Sequence, residues 1–284
     1  MVLRSSVIAL LCFCTLPAGA QQGPRQWFIP PLVVFTEHHP LSNYAAMCRR
    51  CSLKPEKGFI PGHQYDLERE KFGLYVPDVN DANTSYGLLV WIPAGGRAKI
   101  PESYLKVLAK HRLIFVGVDE SEKNRKSTYG RRIPLALDGA HNVMKMYSID
   151  PNRVYVTGLS AGGRVSSIAS LHYSDVFKGG IFIIGASCWE PVLNPNVRGK
   201  YWPATLHKPQ PRYLVVARRE GRYVMLTGTN DFNRLEMLTY YHRVYKRTLK
   251  NVLYLEVPGM GHDIPPPDWF ERAIEYLDMP LKKK

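Results

Sequence analysis

Acidic residues are scarce in this chain: 24 Asp and Glu stand against 38 Lys and Arg, a formal net charge of +14. Past the first 20 residues no apolar run is long enough to cross a bilayer, which excludes an integral membrane segment from the rest of the sequence. No internal repeat and no extended low-complexity tract is present, so a solenoid or a propeller is excluded. Cysteine is sparse, at five residues. The single Cys48-Arg49-Arg50-Cys51 has no second CxxC and no HxxxH to complete a metal site, and His38, His39 and His63 lie near it without ligand spacing. No metal is therefore expected. Zinc fingers, RNA-recognition signatures and basic heptads are also missing, which excludes the common nucleic-acid modules. The basic excess then reads mostly as solvated surface with an attraction to anionic surfaces, concentrated at Lys123-Asn124-Arg125-Lys126, Arg131-Arg132, Arg218-Arg219, Lys246-Arg247 and Lys282-Lys283-Lys284.

The first 20 residues have the layout of an export signal. Met1-Val2-Leu3-Arg4 carries the charge, Val7 to Leu16 is a short apolar core, and Ala18-Gly19-Ala20 is a cleavage site. Residues 1–20 are expected to be removed, giving a secreted or periplasmic protein of about 260 residues, enough for one large α/β domain. Neither Cys12 nor Cys14 sits in a lipoprotein signal, and no lipid anchor is expected. Removal leaves Cys48, Cys51 and Cys188. In an oxidising compartment the simplest count is one disulfide and one free thiol, pairing either Cys48 with Cys51 or one of them with Cys188.

Residues 21–61 are rich in proline and irregular, an N-terminal extension carrying the CxxC. From 62 to 284 the pattern is regular. His63–Leu67 and Phe72–Val76 read as a pair of strands. Continuous apolar runs at Leu88–Ile92, Leu113–Gly117, Val154–Thr157, Gly180–Gly185, Tyr223–Thr227 and Val252–Val257 read as buried strands. Helices are expected over 101–110, from Pro134 with a stripe of Leu137, Ala140, Met144 and Tyr147, after residue 160, and over 233–247 and 268–278. Strands alternating with helices argue for a mostly parallel sheet covered on both faces, the α/β class. An insertion at about 187–212 holds Trp189, Tyr201 and Trp202. These rings either line a substrate pocket or glue the insertion to the domain.

Chemistry enters at Gly158-Leu159-Ser160-Ala161-Gly162. With 22 glycines, a bare Gly-x-Ser-x-Gly arises by chance in roughly one such chain in ten. Here, however, it follows an apolar strand and precedes a helix rich in small residues. A serine on that turn is exposed to substrate and to a base, which turns a poor nucleophile into a useful one. The alternative is a glycine-rich turn with Ser160 as a helix cap. Ligands of open α/β sheets sit beyond the carboxyl ends of the strands. Asp231 follows the strand at 223–227 and His262 follows the strand at 252–257, giving the chain order Ser, Asp, His. His262 would take the Ser160 proton, and Asp231 would orient the imidazole. Of the other histidines, His38, His39, His63 and His111 precede the nucleophile, His141, His172 and His242 fall in helices, and His207 lies in the insertion. Oxyanion donors are expected at the Ala161 N–H and in Pro93-Ala94-Gly95-Gly96, with Gly95 first and Ala94 second.

The stretch Asp150-Pro151-Asn152-Arg153-Val154-Tyr155-Val156-Thr157-Gly158-Leu159-Ser160-Ala161-Gly162-Gly163 resembles the elbow of secreted esterases of the polyhydroxybutyrate depolymerase and feruloyl esterase group. Thr227–Asn233 and Gly259–His262 resemble that group's acid and base loops. The resemblance spans about 62–279 and implies an α/β-hydrolase with a Ser-Asp-His triad, no cofactor, and a small-molecule or polymer-linked ester as substrate. Pro93-Ala94 stands where the group often has His-Gly, which puts the second oxyanion donor in question. Two other readings are a serine peptidase of the prolyl-oligopeptidase type and a catalytically silent binding protein on the same fold.

Overall fold

In the buried strands, neighbouring residues face opposite helix layers. Leu88, Val90 and Ile92 join one hydrophobic cluster, whereas Leu89 and Trp91 join the other. Val154 and Val156 likewise point away from Tyr155. A strand buried on both faces gains from apolar residues at every position, which is why these segments read as unbroken runs. The computed structural model describes residues 26–78, 85–122 and 128–280. The expected signal segment, the basic cluster 123–126 and the lysine tail 282–284 lie outside the described residues.

In chain order the elements are β1 (Trp27–Phe28), β2 (Leu32–Val33), α1 (Tyr44–Cys51), β3 (Phe72–Tyr75), β4 (Tyr86–Ile92), β5 (Ile100–Pro101), α2 (Tyr104–Lys110) and β6 (Leu113–Val118). There follow α3 (Ile133–Met146), β7 (Ile149–Leu159), α4 (Ala161–His172), β8 (Gly179–Ile183), β9 (Val192–Leu193), β10 (Tyr201–Trp202), α5 (Pro211–Glu220) and β11 (Arg222–Gly228). The chain ends in α6 (Arg234–Tyr240), a π turn at Tyr241–Tyr245, α7 (Lys246–Thr248), β12 (Val252–Val257) and α8 (Pro267–Asp278). Eight strands form the central sheet in the order β12-β11-β8-β7-β4-β6-β3-β2. The six from β12 to β6 are parallel, and β3 and β2 close one edge antiparallel. Helices α2 and α8 pack on one face, and α3 and α4 on the other. This is the α/β-hydrolase architecture.

Several local expectations are corrected. Residues 63–67 do not pair with Phe72–Tyr75: Leu67–Arg69 form a 3-10 turn, and β3 is flanked by β6 on one side and by Leu32–Val33 from the N-terminal extension on the other. That extension also forms α1, whose Asn43 cap accepts the Ala46 N–H. Its loops cover the outer side of α3, where Asp138 accepts hydrogen bonds from the His39 N–H, His38 and Tyr65. Most of α3 is consequently buried, while Met144, expected in its apolar stripe, is exposed. No disulfide forms among the described residues: Cys48, Cys51 and Cys188 are buried free thiols. Burial pushes the Cys51 thiol up to about 12 and the Cys188 thiol to about 11, so both behave as small apolar groups. Arg131 and Arg132 are buried rather than part of a solvated basic surface. Arg131 pairs with Glu70, and Arg132 donates to the Pro93 carbonyl.

Candidate active site

Ser160 sits where β7 ends and α4 begins. Its backbone has φ 52° and ψ −113°, a conformation that costs an L-residue on the order of 1–3 kcal/mol and persists only where the surroundings enforce it. The enforcement is steric and local. A Cβ at Gly158 would lie 2.3 Å from the Ile92 carbonyl oxygen, and one at Gly162 would lie 2.0 Å from it. Both glycines are therefore required for the elbow to press against β4. The Ser160 N–H donates to the Ile183 carbonyl at 2.8 Å, tying the turn to β8 as well. Ser160 stands at the cap position of α4, yet its side chain makes no capping bond, unlike an ordinary helix-capping serine.

The hydroxyl instead meets His262, with 2.9 Å between Oγ and Nε2. His262 Nδ1 lies 2.7 Å from Asp231 Oδ1. A carboxylate only accepts, so Nδ1 carries the proton and Nε2 presents its lone pair to the serine. Asp231 is held in turn by the Thr227 hydroxyl on Oδ2 at 2.6 Å and by the Asn233 N–H on Oδ1 at 3.1 Å. Its carboxylate is fully buried, whereas His262 is a quarter exposed. The loops carrying acid and base are joined to each other. Asn230 N–H donates to the Met260 carbonyl at 2.9 Å, and Gly259 N–H to the Thr229 hydroxyl at 2.7 Å. Gly259 takes φ 73°, so the chain turns back towards the elbow without strain.

Ala161 opens α4 and is exposed. As the first residue of a helix, its N–H has no acceptor within that helix, and it points from the positive end of the dipole. The loop Pro93–Gly96 leaves β4 beside the elbow: Ile92 is in register with Gly158, and the space in front of Gly162 is bounded by Pro93. Arg132 grips this loop at the Pro93 carbonyl. At the other end Glu122 accepts the Gly96 N–H, and the Glu120 N–H donates to the Gly96 carbonyl at 2.9 Å. Between these anchors, Ala94 and Gly95 are exposed.

Of the insertion aromatics, Trp189 is buried with its ring 5.2 Å from Tyr245, and Trp202 meets Tyr240 edge-on at 6.2 Å. Both do packing work. Tyr201 is 60% exposed on the small β9–β10 hairpin.

Three groups at the site were not anticipated from sequence. Arg164, one turn into α4, makes a two-pronged pair with Glu236 on α6 and donates to the Ala186 carbonyl at 2.8 Å. It thereby braces the helix that follows Ser160 against α6, which follows the Asp231 loop. Asn233 adds a bond from its amide to the Ile184 carbonyl at 2.8 Å. Phe232, next to Asp231, lays its ring on the His262 imidazole at 4.0 Å and 24°. The only sequence signals for these were a charge four residues past Ser160 and an aromatic beside the acid.

The comparisons agree on the scaffold. A 44-residue segment is 50% identical to poly(3-hydroxyalkanoate) depolymerase C of Paucimonas lemoignei, covering 16% of this chain and only 11% of that relative. The S-formylglutathione hydrolase of Staphylococcus aureus superposes with a TM-score of 0.53 at 15% identity, over 73% of this chain and 92% of that one. The acylaminoacyl peptidase of Pyrococcus horikoshii gives a TM-score of 0.54 at 18% identity, over 76% of this chain and 40% of that one. At such identities the likeness is one of fold. The family model for the prolyl oligopeptidase family matches residues 131–283, more than half of the sequence and inclusive of Ser160, Asp231 and His262. The chain therefore belongs to the prolyl oligopeptidase family.

Proposed function

We propose that this protein is a serine hydrolase that cleaves carboxylic esters through an acyl-enzyme, with Ser160 as nucleophile, His262 as general base and acid, and Asp231 as the group that orients and stabilises the imidazole. The observation that carries this reading is the continuous hydrogen-bonded chain from Ser160 Oγ through His262 to the buried Asp231, ending on a strained elbow. In acylation His262 Nε2 takes the hydroxyl proton as Oγ attacks the carbonyl carbon. It then returns that proton to the departing alkoxide. Water repeats the sequence in deacylation. The negative oxygen of each tetrahedral intermediate is assigned to the Ala161 N–H together with the Gly95 N–H, or that of Ala94. These steps need no metal or cofactor.

The 50%-identical segment of a poly(3-hydroxyalkanoate) depolymerase supports an ester as the scissile bond. Family membership supports a second reading, cleavage of an amide by the same three residues. The signal-like first 20 residues support action outside the cytoplasm or in the periplasm. A paired assay tests the choice: p-nitrophenyl acetate and butyrate against aminoacyl p-nitroanilides, each with wild type and Ser160→Ala. Ester turnover that vanishes in Ser160→Ala is the expected result. Turnover of anilides alone would favour the peptidase, and full ester activity in Ser160→Ala would sink both.

A further inference from the structure

Phe232 is 76% exposed, although it stands beside the fully buried carboxylate of Asp231. Removing a phenyl ring from water is normally favourable. Most of that gain is forgone here, and the contact the ring does make is with the imidazole of His262, stacked at 4.0 Å. A large apolar surface held open on a reacting group calls for an occupant.

The proton path says which part of the substrate that occupant is. Nε2 of His262 must reach two oxygens in turn, Ser160 Oγ and then the oxygen of the departing alcohol, each at hydrogen-bond distance. The alcohol therefore leaves along the histidine side of the reacting carbonyl, while the acyl group stays on Ser160. Phe232 lies on the face of that histidine, with most of its ring open to solvent. Resting on the ester-hydrolase reading above, we propose that Phe232 is a specificity-determining residue that binds the alcohol portion of the ester, favouring aromatic or bulky apolar alcohols by stacking against the open part of its ring. It contributes nothing specific to the acyl chain. Once the alcohol has gone, it has no further substrate contact in deacylation.

Two ester series separate the possibilities. One holds acetyl constant and changes the alcohol from ethyl to benzyl to 2-naphthylmethyl, whose leaving oxygens are similar in basicity. The other holds ethanol constant and lengthens the acyl group from acetyl to octanoyl. Aromatic stacking contributes a factor of about three- to tenfold. Phe232→Ala is thus expected to lower kcat/KM for the two aromatic alcohols by that factor beyond any change with ethyl acetate. The effect should be flat along the acyl series, and Phe232→Leu should recover part of the loss. Breakdown of the common acetyl-enzyme should keep its wild-type rate. A loss equal for every alcohol, a loss that follows acyl length, or slowed deacylation would each overturn the proposal, since a merely displaced His262 slows both half-reactions. A wild type with no preference for benzyl over ethyl acetate would overturn it too. Fluorophosphonate labelling of Ser160 in Phe232→Ala establishes that the site itself is intact. Ester cleavage surviving in Ser160→Ala would instead strike the underlying reading of the site.

Discussion

Two Asp–His pairs lie at opposite ends of the same sheet, and strand β7 connects them. At its carboxyl end, Asp231 and His262 meet at 2.7 Å and His262 faces Ser160. Near its start, Asp278 and His111 meet at 3.2 Å. There Arg153 and Tyr155, both on β7, also bond to the Asp278 carboxylate. The first nitrogen of each histidine is engaged in the same way. The second differs: Nε2 of His262 is 2.9 Å from a hydroxyl on a strained turn, whereas Nε2 of His111 is 3.5 Å from the Glu271 carboxylate. A carboxylate–imidazole pair is therefore not by itself a catalytic device. What distinguishes the upper pair is the elbow, where a strained backbone presents a hydroxyl to the second nitrogen in place of a carboxylate.

The largest effects should fall on the upper pair. Ser160→Ala and His262→Ala are each expected to reduce ester turnover by at least about 10³-fold, with the double variant little worse than either single one, because the residues act as a unit. Asp231→Asn should cost about 10⁴-fold by favouring the wrong tautomer. His111→Ala, in the lower pair, should leave kcat/KM within about twofold. A comparable loss there would break the distinction drawn between the two pairs. Steady-state kinetics on the five variants settles it.

Next in size comes the brace between elbow and acid loop. Arg164→Ala takes the cation away from Glu236, which keeps its bond from the Tyr240 hydroxyl, in a half-buried setting where removing one member of an ion pair costs about 3 kcal/mol or more. Both a lower unfolding midpoint in denaturant and a fall in kcat are expected, since Asn233 and Asp231 share that loop. Stability lost with kcat intact would mean that the acid loop is held in place by the Thr227 and Asn233 bonds alone.

The unequal legibility of these features has a physical basis. Buried strands announce themselves because both faces demand apolar residues, and Leu88–Ile92 or Tyr223–Thr227 could hardly be anything else. Ser160, Asp231 and His262 were legible because each follows a strand end in a fixed order. By contrast, α5 is exposed on most sides, with only Ala217 fully buried, and it follows directly on the irregular insertion, so nothing before Pro211 announces it. The pairing of β3 with Leu32–Val33 depends on two residues drawn from a proline-rich segment, too few to show alternation. Arg164–Glu236 spans 72 residues, and the stack of Phe232 on His262 depends on a loop's path. Neither leaves a local pattern. The cysteines misled for a related reason: their count suggested a bridge, but their burial was not visible in the count.

The lower pair should matter for folding rather than chemistry. Burial opposes charge on Asp278, yet hydrogen bonds from His111 and Arg153 outweigh it and hold the carboxyl down at about 2. A depressed carboxyl adds stability that is fully present above its unfolded value near 4 and is lost as the pH falls through 2. Asp278→Asn at neutral pH should then destabilise the protein by roughly 2–4 kcal/mol, seen as a lower denaturation midpoint, while kcat/KM for a simple ester stays unchanged. An equal loss of activity would show that the two ends of β7 are coupled.

The smallest effect is a dependence of stability on mildly acid pH, and it belongs to histidines outside both pairs. Burial drives His172 down to about 4. It does the same to His39, with the neighbouring His141 adding to the depression. Such a group is neutral in the folded protein and protonates more readily once unfolded. Its contribution is therefore complete above the ordinary value of 6.5 and disappears as the pH drops through about 4. Thermal melts between pH 7 and pH 4 should show a steady fall in Tm of several degrees. His172→Gln, which cannot take up a proton, should reduce that slope to the share carried by His39 while lowering the starting Tm, because His172 Nε2 is bonded to the His207 carbonyl in the core. A slope unchanged in His172→Gln would place the acid sensitivity of the fold outside this histidine.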